Sequence, residues 1–139
     1  KYYAEIFPAV PHGKEVIEIL KDRYLMGLAT SAGRSSAEAA LKRIGVLDYF
    51  VARTYGNEVN FGKPDPEIFL KTAEKLGVMP KEIVVLEDSE NGFRAAKSAG
   101  MKLIARRAYH NMHQDFSLAD FVVEDLMDVE KCLEELEKV

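Results

Sequence analysis

Thiols are almost missing from this sequence: one cysteine, Cys132, stands in 139 residues. A single thiol cannot close an internal disulfide, which excludes a small disulfide-stapled scaffold. Cys132 falls in a helical pattern with Leu133 and Leu136, and reads as a buried thiol of a cytosolic protein. Long apolar runs are missing too. None approaches the ~20 residues of a membrane span, and no signal-peptide pattern is visible, so no membrane partner is expected. No basic tract dominates any segment. With a net charge of −4 and a pI near 5.4, nonspecific nucleic-acid binding is excluded as well. Repeats, linkers and low-complexity tracts are absent. The sequence starts at Lys1 without a methionine, and the expectation is a processed, trimmed or partial chain.

What is present suits one domain with a real core, since 47% of residues are hydrophobic. Helix and strand patterns alternate, the mark of an α/β layered fold. A helix runs from after Pro11-His12-Gly13 to about Asp22, and Tyr24 to Ala29 is a continuous apolar run, as in a strand buried on both faces. Ser35 or Ser36 is placed to cap a helix that turns Ala37, Ala40, Leu41 and Ile44 inward and ends at Gly45. Phe50 to Thr54 reads as a strand. Asp65 caps the next helix, with Pro66 at its first position and Ile68, Phe69, Ala73 and Leu76 in its apolar stripe. Strands follow at Ile83–Leu86, 102–105 and 121–123, with a small-residue helix from about Asn91 and a closing amphipathic helix from Asp128 to Lys138. Tyr109 to Ser117 reads as a polar loop.

The stretch Val84-Val85-Leu86-Glu87-Asp88-Ser89 carries the most chemistry. An apolar strand stops at two adjacent acids. Neighbouring strand residues point to opposite faces, so both serve one site only where the strand frays into a loop. Two acids at the carboxyl end of a buried strand suit a hard divalent cation such as Mg²⁺, in the place where open α/β sheets bind ligands. Capping of the following helix is the alternative role. A second strand ends in Thr30-Ser31-Ala32-Gly33, and Gly62-Lys63-Pro64-Asp65-Pro66 sets a lysine before a helix start. Hydroxyls with backbone N–H groups, a lysine and an acid pair are the parts that hold a phosphoryl group beside a metal.

Taken in order, Thr30-Ser31, Gly62-Lys63-Pro64-Asp65-Pro66 and Glu87-Asp88-Ser89-x-Asn91-Gly92-x-x-Ala95-Ala96-x-x-Ala99-Gly100-Met101 resemble the haloacid-dehalogenase-like hydrolase superfamily. The likeness is strongest to its β-phosphoglucomutase and phosphoglycolate-phosphatase branch. It extends through Leu47-Asp48-Tyr49-Phe50 and Gly56-Asn57-Glu58-Val59, from about Pro11 onward. The resemblance implies a Rossmann-like three-layer α/β/α sandwich with a mainly parallel sheet. Residues 11–139 would be the core domain, and residues 1–10 the tail of a cap domain and its linker. It implies that the Thr30 hydroxyl and the Ser31 backbone N–H bind phosphate and that Lys63 balances charge on the phosphoryl group and the nucleophile. Glu87 and Asp88 would hold Mg²⁺, directly or through water. The implied activity is that of a Mg²⁺-dependent phosphatase or phosphomutase working through a phosphoaspartate on a small phosphorylated metabolite.

One departure is large. The family's first motif, Asp-x-Asp on its first strand, supplies the nucleophile and the general acid/base, and no Asp-x-Asp occurs here. In the family fold that strand lies mid-sheet, between the strands ending here at Thr30 and Leu86. Without it, two strand edges face a gap, each with N–H and C=O groups to satisfy. The expectation is a C-terminal piece of a longer protein, in which those strands pair directly or borrow a strand from a missing N-terminal segment or another chain. A non-catalytic binding or regulatory module is the alternative, and a phosphoacceptor receiver domain, which leaves Gly62-Lys63-Pro64 unexplained, is a third reading.

The remaining polar residues take structural roles. Ser89 and Asn91 support the acid loop by local bonds. His110-x-x-His113 has the look of a zinc pair but lacks a partnered cysteine. Arg34 stands either against substrate or exposed at a helix entry, His12 is structural or solvent-facing, and Glu134-Glu135-x-Glu137 is a solvated helix face.

Overall fold

The computed structural model describes residues 12–138, so the expected cap tail at residues 1–10 lies outside the described residues. The elements run α1 (Gly13–Leu20), β1 (Met26–Thr30), α2 (Arg34–Arg43), β2 (Phe50–Tyr55), α3 (Glu67–Leu76), β3 (Val84–Glu87), α4 (Glu90–Ser98), β4 (Lys102–Arg106), β5 (Phe121–Val123) and α5 (Val129–Glu137). Among the described residues every strand pairing is parallel.

Side-chain alternation along the strands sorts the core into two layers. Met26 and Leu28 of β1, Val84 and Leu86 of β3, and Ile104 of β4 pack with Val16 and Ile17 of α1, Leu41 of α2 and Leu133 of α5. Ala29, Val85, Leu103 and Ala105 point the other way, into Ile68 and Phe69 of α3 and Phe93 and Ala96 of α4. Helices therefore cover both faces. The buried alanines Ala95, Ala96 and Ala99 let α4 lie close on the strands. This is the three-layer α/β/α sandwich that the sequence implies.

The sheet is split. β1 pairs with β2, β3 with β4 and β4 with β5, which gives a two-stranded and a three-stranded sheet. Among the described residues no ladder joins β1 to β3, although Leu28 and Leu86 share one core. The strands on either side of the expected gap do not pair directly.

Several boundaries differ from the sequence reading. β1 begins at Met26, because Leu25 is turned outward, and it runs on through Thr30. α1 stops at Leu20. α2 starts at Arg34 with Gly33 as its cap and no capping side chain, so Ser35 and Ser36 lie inside its first turn; Ala40 is exposed, not inward. Pro66 sits at the cap position of α3 while the Asp65 carboxylate accepts from the Glu67 N–H at 2.9 Å, so Asp65 does satisfy a helix-end donor. No helix among the described residues is long and apolar enough to cross a membrane.

Candidate active site

Three chain segments end at the carboxyl side of the parallel strands: the turn after β1, the loop before α3 and the turn after β3. They enclose an open cleft of about 430 Å³ lined by Thr30, Ser31, Ala32, Lys63, Glu87, Asp88, Ser89 and Asn91. All five candidate site residues thus meet in one place.

Each wall has a local cause. The Thr30 hydroxyl accepts from the Ala32 N–H at 3.2 Å, which curls the chain out of β1. Gly56 seats that turn: its N–H donates to the Ala32 carbonyl at 2.9 Å, and a Cβ there would overlap the Ser31 carbonyl. On the far wall, Glu87 is the last residue of β3 and is 2% exposed. Asp88 falls just beyond the strand, which is how two adjacent acids reach one cleft. Ser89 caps α4, accepting from the Gly92 N–H at 3.1 Å and donating to Glu87 Oε1 at 3.3 Å. Asn91 is exposed at the rim.

Lys63 spans the split sheet. Its Nζ lies 2.7 Å from Glu87 Oε2 on β3 and donates to the Ala29 carbonyl of β1 at 3.3 Å, with the Phe69 ring 5.0 Å away. The side chain is 6% exposed, so the ammonium is held by the fold. The other Glu87 oxygen accepts from the Asp88 N–H at 3.2 Å. Gly92 makes room for this pair, since a Cβ there would overlap Cγ and Cδ of Glu87. Glu87 therefore serves as the counter-ion of Lys63 as well as a cleft wall, a pairing that nothing in the sequence spacing announces.

Asp88 has its side chain 14% exposed and faces the cleft. Burial and the neighbouring Glu87 carboxylate push its carboxyl above the ordinary value, against the pull of His110 and Arg106. A carboxylate so placed gains from a cation beside it. Among the described residues no three His, Cys, Asp or Glu side chains gather as a ready ligand set. Two acids with further oxygens drawn from water or substrate suit a hard cation that keeps part of its hydration shell, so the residues present fit Mg²⁺. They do not make a zinc centre of His110 and His113. His110 Nε2 lies 3.5 Å from Asp88 Oδ2, and His113 is exposed.

Residues outside the cleft settle into structural roles. The Arg34 guanidinium lies over the Tyr55 ring at 5.3 Å and does not line the cleft. His12 pairs with Asp125 at 2.8 Å. Cys132 is half-buried against the α5 side of the core, with its thiol pushed up by burial and by Asp128; it is less enclosed than its apolar neighbours suggest. Glu134 and Glu135 are exposed. Sequence reasoning missed Gly56, Gly92 and the buried Asn111, whose contacts are all tertiary or backbone. Gly56 and Gly92 stood in the quoted stretches, so their presence was visible while their reasons were not.

The sequence profile of the haloacid dehalogenase-like hydrolases matches residues 2–100. The chain belongs to this family. It is 34% identical over 140 residues to the phosphorylated carbohydrates phosphatase of Thermotoga maritima, covering 100% of this chain and 64% of the relative. It is 35% identical over 97 residues to the β-phosphoglucomutase of Bacillus subtilis, covering 70% of this chain and 41% of that protein. The HAD phosphatase from Thermococcus onnurineus superimposes with a TM-score of 0.80 at 34% identity, over 89% of this chain and 57% of that structure. This member of the family thus spans less than two thirds of the length of the curated relatives it matches, and those relatives stand in the phosphatase and phosphoglucomutase branch.

Proposed function

We propose that this chain carries the phosphate- and metal-holding half of a phosphatase or phosphomutase site for a small phosphorylated metabolite of the sugar-phosphate class. The observation that carries the reading is the meeting of Thr30 and Ser31, Lys63 and the Glu87–Asp88 acids in one cleft. The names of the related carbohydrate phosphatase and β-phosphoglucomutase support the substrate class.

In this reading the Thr30 hydroxyl and the Ser31 backbone N–H donate to the phosphoryl oxygens. Lys63 offers its positive charge to the same dianion, already fixed by Glu87, so little reorganisation is needed as charge shifts in the transition state. Asp88, with Glu87 behind it, would hold Mg²⁺, which screens the phosphate charge and orients it for in-line attack. The attacking carboxylate lies outside these residues. Its oxygen would bond to phosphorus as the ester oxygen departs with a proton from the general acid on the same strand, leaving a phosphoaspartate. The phosphoryl group would then pass to water in a phosphatase or to a sugar hydroxyl in a mutase, the proton of that nucleophile returning to the same acid/base group. The strand bearing that carboxylate would enter between β1 and β3, from an N-terminal segment or another chain. Residues 11–139 would then be the core domain, and residues 1–10 the return from a cap.

The test is Mg²⁺-dependent phosphate release from an aryl phosphate and a panel of sugar phosphates. It is run on this chain and on a longer form carrying an Asp-x-Asp strand. The longer form is expected to turn over and this chain alone is not. In the longer form Asp88→Ala abolishes release, and Lys63→Ala lowers kcat about a hundredfold or more. Near-normal turnover in either variant overturns the assigned roles. The lack of Asp-x-Asp in the sequence favours one second reading, a non-catalytic phosphate-binding module. A longer form that binds phosphate yet never releases it from an ester would establish that instead.

A further inference from the structure

We propose that Asn111 is a positioning residue that sets the direction of the Asp88 carboxylate, acting as a polar wedge where β3 and β4 part. This rests on the reading of Asp88 as a cation-holding residue.

The β3–β4 ladder ends at the pair Glu87 and Ala105. The next carbonyls on the two strands belong to Asp88 and Arg106, and both are taken by one side chain. Asn111 Nδ2 donates to the Asp88 carbonyl at 2.7 Å and to the Arg106 carbonyl at 2.9 Å. Its Oδ1 accepts from the Ala108 N–H at 2.7 Å. The residue is completely buried. Burying a carboxamide is costly unless its groups are bonded, and here the two N–H groups and the carbonyl all are.

The result is a main chain at Asp88 held on both sides. Its N–H donates to the Glu87 carboxylate, and its C=O receives the Asn111 amide. Fixing both flanking peptides fixes the Cα–Cβ direction, which points the carboxylate into the cleft. The segment after Asn111 also holds Glu90, two residues beyond Asp88. The Glu90 N–H donates to the Gln114 side chain, and the Glu90 carboxylate accepts from the Asp115 N–H at 3.1 Å. An asparagine needed merely to close its own loop would use the Ala108 bond and leave its N–H groups to water. These are spent on the acid turn and on the strand end beside it.

The experiment uses the 139-residue chain with Asn111→Ala and, should that variant not fold, Asn111→Asp, which keeps the shape and the acceptor but loses both donors. Amide hydrogen exchange is followed at Asp88 and Glu90 against Val85 in the core. Mg²⁺ binding is followed through the shift of the Asp88 amide resonance. Exchange at Asp88 and Glu90 should rise well beyond any rise at Val85. In Asn111→Ala, Mg²⁺ affinity should fall about ten- to a hundredfold, the usual effect of losing a residue that orients a ligand. Exchange that is unchanged, or that rises equally at all three amides, overturns the proposal and leaves Asn111 a packing residue. If Mg²⁺ leaves the unsubstituted Asp88 amide unshifted, the cation reading of Asp88 fails, while the exchange ratios still decide whether Asn111 directs this turn.

Discussion

Glu87 faces Lys63 at 2.7 Å with both side chains almost wholly enclosed, so this pair joins stability to the site. Removing the charge in Glu87→Gln takes away the carboxylate against which a buried ammonium was placed, and breaking such a pair costs about 3–5 kcal/mol. Urea unfolding should register the loss, and a variant as stable as the parent would show that the pair contributes nothing. Gly92→Ala attacks the same pair by volume, because the new methyl overlaps the Glu87 side chain. A loss of about 1–3 kcal/mol is expected in the same assay, the usual cost of overpacking. Tyr55 gives a pH signature elsewhere on the β1–β2 sheet. Burial, and a hydrogen bond to the Glu38 carboxylate at 2.8 Å, push its phenol up to about 12. A folded-state value above the unfolded value of ~10 means that the stabilisation is complete below pH ~10 and is lost as pH rises through about 12. Ultraviolet titration should show a late tyrosinate step that Tyr55→Phe removes and Glu38→Gln moves to lower pH. A late step that survives Tyr55→Phe would assign it to another residue.

Helices and strands were readable because their cause is local. Continuous apolar runs, buried on both faces, fix β1, β3 and β4, and stripes such as Ile68, Phe69 and Ala73 fix α3. Ends were less readable where a turn is set by a distant partner. The start of α2 follows a turn that Gly56 holds from just beyond β2, and Ser35 and Ser36 were passed over as caps. The cleft was legible to the extent that its parts stand at strand ends. The Lys63–Glu87 pairing and the Asn111 wedge were not, because those contacts join residues 24 and 23 positions apart. The entry to α3 tests local causation directly. Asp65→Ala removes the acceptor of the Glu67 N–H and should cost about 1 kcal/mol. The Glu67 carboxylate also accepts from the Asn60 and Phe61 N–H groups at 3.0–3.1 Å, so the loop bearing Lys63 is clipped to this helix. Thermal unfolding of Asp65→Ala measures the cap, and a loss much above that figure would mean that the loop detaches with it.

The split sheet raises the question of whether the molecule unfolds as one body or two. Backbone ladders argue for two, since β1–β2 and β3–β4–β5 share no hydrogen bonds among the described residues. The core argues for one. Leu28 of β1 and Leu86 of β3 pack in a common layer with α1 and α5, and Ala29 and Val85 share the opposite layer with α3 and α4. Separating the sheets would therefore expose both layers at once. At roughly 25 cal/mol for each Å² of apolar surface, opening even a few of these side chains costs several kcal/mol, comparable with a domain's ~5–15 kcal/mol total. Lys63 adds a polar tie across the same seam, from the Ala29 carbonyl to Glu87. Packing should win. Native-state hydrogen exchange is expected to give the Leu28 and Leu86 amides the same opening free energy, equal to that from global unfolding. A β1–β2 amide set that exchanges through an opening several kcal/mol cheaper than that of β3–β4 would refute this, and would place the weak seam along the side of the cleft that carries Thr30.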